Sequence, residues 1–288
     1  MNNKIYLCSF ASEDLNKSVD RFEFQAKKMN VYSGIKVFRP KDFNPQLLNR
    51  VNDIINQKGK YLYGYAIWKP AIVKSYLMEL EDDAILQYSD IGCHLNHKGI
   101  ERLNDYIELV KKNKMLAFEY GEPPETFKKF NYNFQSTKEY KFTKGDVFSY
   151  FNLNENSKIY NSPLIWAGSF FVSKNEYCFK IIKEWEEACK FLHLLDDSRS
   201  KTPNHKEHIG MRGDQSLFSI LCKINNVKKL SASECEWAEG KDETGRKWDH
   251  LENYPILAKR DLKYGYLKRF LNRQKKTFRR IKNKIFGN

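Results

Sequence analysis

Asp90 lies just after a predicted buried strand, where its carboxylate would be placed at the carboxyl end of that strand in a sheet. It closely follows the mostly apolar residues 84–88 and precedes Gly92, a pattern that predicts a strand followed by a turn. Because hard cations prefer oxygen ligands and keep open positions, such a carboxylate can hold Mg²⁺ or Mn²⁺ that bridges substrate phosphates. The other interpretation is a turn aspartate that hydrogen-bonds its own backbone.

Asp214 is the second carboxylate with a position suited to chemistry. It lies in the segment Arg212-Gly-Asp-Gln-Ser216, directly before the helical pattern of residues 217–224. It is either the N-cap of that helix or a general base aimed into a cleft. His205 and His208 lie nearby in a polar loop, and two histidines three residues apart are weak evidence of metal binding.

The hydrophobic pattern predicts the elements that must position these carboxylates. We predict strands at residues 4–10, 34–38, 84–88 and 164–172, and helices at residues 15–30, around 47–55, 70–80, 98–112, 176–192 and 217–224. This alternation indicates an α/β fold with a mixed, mostly parallel sheet flanked by helices. In open α/β sheets ligands collect at the carboxyl ends of strands. Residues 119–162, which are aromatic and polar, are expected to form a long loop or insertion.

Charge divides the chain into a body and a tail. The 288 residues carry a formal net charge of +14, of which residues 259–288 supply +11 from twelve basic residues and one acidic residue. The body, residues 1–258, is therefore nearly balanced at +3, which argues against a nucleic-acid-binding fold. Its hydrophobic content excludes disorder throughout. No apolar run reaches the roughly 18–20 residues of a membrane span, and no signal peptide is apparent.

The six cysteines are expected to be reduced core thiols. None forms a C-x-x-C pair, and Cys178, Cys189 and Cys222 lie within helical apolar patterns. A zinc site or a disulfide framework is the less favoured interpretation.

The tail has the pattern of a basic amphipathic helix. Its apolar residues recur at helical spacing, at Leu267, Leu271, Phe278, Ile281 and Ile285, and lysines and arginines fill most other positions. Such a helix is suited to lie on an anionic membrane surface, where each basic residue contributes about 1 kcal/mol. A solvated tail and a nucleic-acid arm are the alternatives.

Five segments, in order, resemble motifs of a group of GT-A-fold, nucleotide-sugar-dependent glycosyltransferases of bacterial lipopolysaccharide and capsule synthesis. They are Gly64-Tyr-Ala-Ile-Trp-Lys-Pro70, Tyr88-Ser-Asp-Ile-Gly-Cys93, the stretch 138–148, Ala167-Gly-Ser-Phe-Phe-Val-Ser-Lys174 with Glu184-Trp185, and His208 with Arg212-Gly-Asp-Gln-Ser216. The resemblance covers residues 64–216, and residues 6–10 fit the first nucleotide-binding strand. It implies a GT-A-like single catalytic domain over residues 1–258, in which residues 119–162 lie on the acceptor side.

The resemblance also implies roles for individual residues. Asp90 would hold the Mn²⁺ or Mg²⁺ on the donor diphosphate, and Asp214 would be the catalytic base of an inverting enzyme or a donor-sugar ligand of a retaining one. The donor-binding residues would be Ser9, Phe10, Ala11, Trp68, Lys69, Tyr88, Ser89 and Gly168. The acceptor-side residues would be Lys144, Asp146, His208 and Arg212. Lys69 is otherwise a solvated lysine. Tyr132, Phe134, Tyr140 and Phe142 would either stack on acceptor sugars or simply cover the sheet.

The expected function is transfer of a sugar from a nucleotide-diphosphate donor to a surface-polysaccharide or lipopolysaccharide acceptor. The donor implied is a UDP-sugar, and some relatives of this motif set use UDP-galactofuranose. The partners implied are the donor, a glycan or lipid-linked glycan and an anionic membrane, with no nucleic acid, and the expected location is the inner face of the cytoplasmic membrane. The alternatives are a non-catalytic basic adaptor that binds membrane or nucleic acid, and a degenerate glycosyltransferase fold that only binds.

Overall fold

The computed structural model describes residues 4–241 and 245–259, together with residue 274. The tail helix predicted over residues 267–285 therefore lies outside the described residues, apart from Gln274. Within the described residues, no helix is long and apolar enough to cross a membrane.

The described chain alternates strands and helices. The strands are β1 Ile5–Phe10, β2 Gly34–Phe38, β3 Ile85–Ser89, β4 His94–Leu95, β5 Met115–Glu119, β6 Tyr132–Asn133, β7 Ile165–Ser173, β8 Lys228–Ser231, β9 Ala238–Gly240, β10 Arg246–Lys247 and β11 Ile256–Leu257. The helices are α1 Asn16–Met29, α2 Pro45–Lys58, the single turn α3 Leu62–Tyr65, α4 Trp68–Glu79, α5 Ile100–Asn113, α6 Glu139–Phe142, α7 Gly145–Tyr150, α8 Glu176–Ala188 and α9 Asp214–Ile224.

Six strands form the main sheet in the order β2-β1-β3-β7-β5-β8. The pairs β1–β2, β1–β3 and β5–β8 are parallel, whereas β7 runs antiparallel to both of its neighbours. The other five strands thus point the same way, and their carboxyl ends share one edge. The predicted α/β class, with a mixed, mostly parallel sheet flanked by helices, is confirmed.

Strand side chains alternate between two apolar layers, one on each face of the sheet. Leu7 and Ile85 pack in a layer that includes residues of α1 and α5. Their chain neighbours Cys8 and Leu86 pack in the opposite layer, which includes residues of α2, α4, α8 and α9. All six cysteines are free and buried, as expected for core thiols.

The stretch expected to be a long loop, residues 119–162, contains β6, α6 and α7. A buried ion pair between Glu139 of α6 and Lys223 of α9 connects this stretch to the helices that pack on the sheet. Glu139 also accepts hydrogen bonds from Thr143 and Ser219, at 2.5 Å each. The insertion is therefore anchored to the helix that carries Asp214.

Candidate active site at the carboxyl edge of the sheet

Asp90 lies at the carboxyl edge, one residue past β3. Its backbone N–H donates to the Gly168 carbonyl of β7 at 2.7 Å, and its own carbonyl accepts from Cys93 N–H at 2.8 Å. Arg21 of α1 holds the following turn by donating to the carbonyls of Ile91 and Cys93, both at 2.7 Å. The turn is thus fixed on both sides, and the Asp90 side chain remains 38% exposed.

Lys69 lies between the two predicted carboxylates. It sits in the first turn of α4 and is only 5% exposed. Its Nζ is 3.3 Å from Asp90 Oδ1 and 2.9 Å from Asp214 Oδ2, and it donates to the Ala167 carbonyl at 3.2 Å. We call Lys69, Asp90 and Asp214 the Lys69 centre. Lys69 is therefore not a solvated lysine, and residues 69, 90 and 214, distant in sequence, meet in one group.

The Lys69 centre combines a firmly charged lysine with a carboxyl that titrates near neutrality. Burial alone lowers the pKa of Lys69, but the charges of Asp214 and Asp90 outweigh it and raise that pKa to about 12. Burial raises the pKa of Asp214 to about 6, against the opposing pull of Lys69. Asp214 is 2% exposed, and its Oδ2 has no aligned hydrogen bond within the described residues. The ionised form of the buried Asp214 carboxylate is thus stabilised by the charge of Lys69.

Backbone geometry explains why Asp214 faces Lys69 instead of capping α9. The N-cap of α9 is Gly213, with φ 63° and ψ −132°, and Asp214 is the first helical residue. That combination of angles is strained for a residue with a side chain. Trp185 Nε1 donates to the Asp214 carbonyl at 3.2 Å. The N-cap interpretation of Asp214 is therefore wrong.

Two predicted donor residues, Tyr88 and Trp68, are fixed by aromatic and hydrogen-bond contacts. The Tyr88 hydroxyl donates to Asp90 Oδ1 at 2.7 Å, and Lys69 Nζ lies 5.1 Å from the centroid of the Tyr88 ring. Trp68 packs on Phe10, with ring centroids 4.0 Å apart, and donates from Nε1 to the Tyr63 carbonyl at 3.1 Å. The Tyr88 ring thus packs near the lysine, and the Trp68 side chain is held between Phe10 and the Tyr63 carbonyl.

The chain enters α4 through a left-handed turn. Four residues other than glycine have positive φ there: Leu62, Tyr63, Tyr65 and Ala66, with φ between 45° and 59°. Each such residue costs on the order of 1–2 kcal/mol. The Tyr65 carbonyl lies 3.7 Å from the position that a Cβ on Gly213 would take. The strained turn therefore packs directly against the residue before Asp214.

The remaining predicted donor residues are mostly interior. Ser9 and Ala11 are fully buried, and Ser9 Oγ has no hydrogen-bond partner in the described part of the chain. Ser89 Oγ lies 2.7 Å from Ser169 Oγ inside the sheet. A Cβ on Gly168 would lie 2.3 Å from the Trp166 ring. The side chains of Ser9 and Ser89 thus face the protein interior, and direct contact with a ligand at these positions stays a prediction.

Two predicted acceptor-side residues, Lys144 and Asp146, hold the loop of residues 196–204. Lys144 Nζ donates to the carbonyls of Asp196 and Ser198, at 3.3 and 3.2 Å. Asp146 accepts from the backbone N–H groups of residues 201 and 202. Both side chains are buried. They position this loop, and a contact with the acceptor stays a prediction.

The other predicted acceptor-side residues, His208 and Arg212, both contact α6. His208 Nδ1 is 3.2 Å from the Tyr140 carbonyl, and burial lowers the pKa of this histidine. Arg212 is exposed, with its guanidinium 4.1 Å from the centroid of the Phe142 ring. Tyr132 and Phe134 pack around the buried His250. Tyr132 and Phe134 thus belong to an aromatic group around His250, and stacking on acceptor sugars stays a prediction.

The sequence motifs missed a second polar group at the same edge. Tyr120 directly follows β5, and its hydroxyl donates to Glu236 Oε1 at 3.1 Å. Gln135 Nε2 lies 3.5 Å from Glu236 Oε2 and 3.4 Å from the Trp237 carbonyl. We call Tyr120, Gln135, Glu236 and Trp237 the Glu236 cluster. Tyr120, Gln135 and the adjacent pair Glu236 and Trp237 are distant from one another in sequence, so only their position after strands or in the insertion could have indicated them.

A divalent cation fits the Lys69 centre only if a substrate phosphate supplies further ligands. Asp90 offers an exposed carboxylate, but one of its oxygens already meets Tyr88 and Lys69. The described residues contain no group of three or more His, Cys, Asp or Glu placed to hold a metal. Mg²⁺ commonly takes one or two protein carboxylates and completes its shell with water and substrate phosphates. Asp90 meets that requirement as a single ligand.

Comparisons with known proteins find similarity in structure alone. No family model matches the chain, and no curated protein matches its sequence. The solved structures with a similar chain trace include a glycosyltransferase involved in the glycosylation of the major capsid of PBCV-1, at 9% identity and a TM-score of 0.46, covering 94% of this chain and 99% of that one. Mouse xyloside xylosyltransferase 1 is 9% identical, with a TM-score of 0.42 and coverage of 89% and 98%. The glycosyltransferase GlyE of Streptococcus pneumoniae TIGR4 is 13% identical, with a TM-score of 0.38 and coverage of 80% and 46%. Superpositions this loose carry no functional argument, which has to come from the site.

Proposed function

We propose that the protein is a glycosyltransferase that moves a sugar from a nucleotide-diphosphate donor, of which a UDP-sugar is the best candidate, to a glycan or lipid-linked glycan. The observation that carries this proposal is Lys69, buried at the carboxyl edge of the sheet between Asp90 and Asp214. Burial of three charged groups together costs desolvation free energy, and ionisable groups with strongly perturbed pKa values cluster at functional sites. Transfer from a nucleotide-sugar needs positive charge where the diphosphate leaves.

Lys69 and Asp90 serve the leaving group in this proposal. The ammonium of Lys69 stays protonated, since its pKa is about 12, and stabilises the negative charge that develops on the diphosphate. Asp90, the exposed member of the Lys69 centre, would hold Mn²⁺ or Mg²⁺ together with the donor phosphates. Such a cation supplies Lewis-acid neutralisation of the leaving diphosphate.

The role proposed for Asp214 is either to accept a proton from the acceptor or to bind the donor sugar. With a pKa of about 6, its carboxylate is ionised at pH 7 and can accept a proton from an acceptor hydroxyl if the enzyme inverts configuration. If the enzyme retains configuration, the same carboxylate binds the donor sugar. In either case Lys69 has to turn partly from Asp214 toward the phosphates, because Asp214 is almost fully buried against it.

The location proposed for this reaction is the inner face of the cytoplasmic membrane. Lipid-linked acceptors lie in a membrane, and the +11 of residues 259–288 is suited to anionic lipid. A polysaccharide or lipopolysaccharide acceptor fits this location.

The test is release of nucleoside diphosphate from a panel of sugar nucleotides, with Mn²⁺, with Mg²⁺ and with a chelator. We expect turnover of at least one donor and its loss in Asp90→Ala, with Asp105→Ala as a control, since Asp105 is an acidic residue on α5, outside the Lys69 centre. If no sugar nucleotide is bound or hydrolysed by the wild type, the proposed function is wrong. If Asp90→Ala keeps full turnover, the role given to Asp90 is wrong.

A further inference from the structure

A cavity of about 270 Å³ lies at the end of α9 that is remote from Asp214. Its lining comes from three parts of the chain and includes Lys158 and Ser162 of the insertion, Lys223 of α9, and Lys229 of the edge strand β8. Because a helix rises about 1.5 Å per residue, Lys223 stands about 13 Å along the helix axis from Asp214. No member of the Lys69 centre lines this space, which we call the α9 cavity.

Hydrogen bonds fix the walls of the α9 cavity. The Ser162 hydroxyl donates to the Ile159 carbonyl at 2.7 Å, and the Ser162 carbonyl accepts from the Glu139 N–H at 2.8 Å. At the end of α9, the Val227 N–H donates to the Cys222 carbonyl at 2.8 Å. The walls are therefore formed by the fold itself, as is usual for sites that bind small molecules.

Lys223 brings a buried ammonium with unused donors to the α9 cavity. Its side chain is 4% exposed, and its Nζ meets Oε2 of the fully buried Glu139. That carboxylate also accepts hydrogen bonds from the hydroxyls of Thr143 and Ser219. In the described part of the chain Glu139 is the one acceptor bonded to Lys223 Nζ, whereas an ammonium has three N–H donors. A ligand with acceptor oxygens in the cavity would satisfy the other donors.

The lining of the α9 cavity is positively charged. Lys158 is exposed and forms no ion pair with a described residue, whereas Lys229 Nζ lies 3.2 Å from Glu119 Oε2. Burial raises the pKa of the Cys222 thiol in the lining, and the charges of Lys223 and Lys229 both oppose that rise, so the two ammonium groups lie near the same thiol. No acidic residue among those described lines the cavity. The lining therefore favours an anion.

A phosphate group suits this lining better than a carboxylate does. A phosphomonoester carries close to two negative charges at neutral pH and three acceptor oxygens, and lysine binds phosphate as a point charge. Asn226, which is exposed, also lines the cavity and offers amide N–H donors. Sites for larger ligands usually measure about 300–1,000 Å³. The α9 cavity is therefore large enough for a phosphate with a small organic group and too small for a large ligand.

We propose that the α9 cavity binds a phosphate group, as inorganic phosphate or as a small phosphomonoester, through Lys158, Lys223 and Lys229. This inference goes beyond the proposed function and does not depend on it, because the Lys69 centre lies at the other end of α9. It gives the chain an anion site apart from the one that the donor diphosphate would occupy.

The test is a titration of the full chain at physiological salt with inorganic phosphate and with glycerol 3-phosphate, each with and without saturating UDP. Phosphorus NMR measures the affinity. We expect at least one of the two probes to bind, with the same affinity in the presence of UDP. Affinity should fall about tenfold in Lys158→Gln and in Lys229→Gln, as expected for loss of a hydrogen bond to a charged group. Tighter binding of one probe shows whether the site prefers free phosphate or a monoester.

Lys228→Gln is the matched control, because Lys228 is an exposed lysine on the same strand whose side chain points to the other side of β8 from that of Lys229. The inference is overturned if neither probe binds the wild type, if Lys158→Gln and Lys229→Gln leave the affinity unchanged, if Lys228→Gln weakens binding equally, or if UDP abolishes binding of both probes. Failure of the proposed function has a different signature. In that case UDP does not bind, and phosphate binding that depends on Lys158 and Lys229 remains.

Discussion

Lys69 and Asp214 depend on each other at the scale of single residues. The lysine is buried because two carboxylates balance its charge, and Asp214 is ionised at pH 7 because the lysine opposes the cost of burial. Removing one member leaves a buried charge without its partner, which typically costs 3–5 kcal/mol. The proposed chemistry uses this dependence, since a phosphate that attracts Lys69 also changes the environment of Asp214.

The first prediction concerns Lys69→Met. We expect donor hydrolysis to fall at least about 100-fold, since electrostatic stabilisation of a leaving group contributes on this scale. We also expect a loss of about 3 kcal/mol in the free energy of unfolding at pH 8. Without Lys69 the pKa of Asp214 rises further above its unfolded value of 3.8, so the folded state binds the extra proton. Stability of the variant should therefore rise as pH falls from 8 to 5.

Urea unfolding at pH 5 and pH 8 measures this effect. The double variant Lys69→Met with Asp214→Asn is the control, because it removes both buried charges. It should recover most of the stability at pH 8 and lose the pH dependence contributed by this pair. A Lys69→Met protein as stable as the wild type at pH 8 would contradict the interaction between Lys69 and Asp214.

The second prediction concerns the pH dependence of turnover. Asp214, with a pKa of about 6, must be ionised to accept a proton or to bind the donor sugar. Donor turnover in the wild type should therefore decline as pH falls through about 6, while Lys69 stays protonated across this range. The measurement is nucleoside diphosphate release between pH 5 and pH 8. Asp214→Asn should lose most activity and show no acid limb. A wild-type rate that does not change between pH 8 and pH 5 would show that ionisation of Asp214 is not needed for the reaction.

At the scale of elements, most strong hydrophobic periods were predictable, but the buried apolar strand β5 and the short polar elements were not. The apolar run that ends before Asp90 predicts β3, and the spacing of Cys178, Ile181, Ile182 and Trp185 predicts α8. By contrast, β8 has the sequence Lys-Lys-Leu-Ser, because it is an edge strand whose neighbours do not demand apolar side chains on both faces. Its absence from the predictions also hid Glu236, which follows it.

The candidate site was predictable as far as strand ends and helix starts are visible in sequence. Asp90, Lys69 and Asp214 each stand at such a boundary, which singled them out individually. Their contacts could not be predicted, since residues 69, 90 and 214 meet only through the order of β3, β7, α4 and α9. The interior positions of the Ser9 and Ser89 side chains could not be predicted either, because they depend on how the strands pair in the sheet.

The third prediction tests how the start of α9 places Asp214. Gly213→Ala forces a side chain into φ 63° and ψ −132°, although the nearest atom to the new Cβ would be 3.7 Å away. Backbone strain alone should then cost about 1–3 kcal/mol. Relief of that strain would move Asp214 relative to Lys69, so donor turnover should fall at least about tenfold.

Gly59→Ala is the matched control for this strain. Gly59 ends α2 with φ 83° and ψ 174°, and nothing lies within 4 Å of an added Cβ. We expect a similar loss of stability in thermal unfolding and unchanged turnover. Equal turnover in the two variants would show that activity does not depend on the backbone before Asp214.

At the scale of the whole molecule, charge and chemistry are separated along the chain. The body, residues 1–258, is nearly neutral overall and buries Lys69 in the site, whereas residues 259–288 hold most of the net charge. In the proposed function the buried lysine acts on the donor phosphates, and the basic tail acts on an extended anionic surface. The two functions can therefore be removed independently.

The fourth prediction is that truncation after residue 258 removes membrane binding and leaves donor turnover unchanged. Reversible binding to vesicles rich in phosphatidylserine should disappear, since about 1 kcal/mol per basic residue near such a surface is lost with the tail. Full-length protein should bind these vesicles at low salt, release them as salt screens the charges, and ignore vesicles of phosphatidylcholine alone. Vesicle co-sedimentation with a parallel assay of nucleoside diphosphate release measures both properties. Two outcomes would show that the tail is not the membrane anchor: binding of the truncated body to anionic vesicles, or tighter binding of full-length protein to duplex DNA than to lipid at the same salt concentration. Either outcome would also contradict the proposed location at the inner face of the membrane.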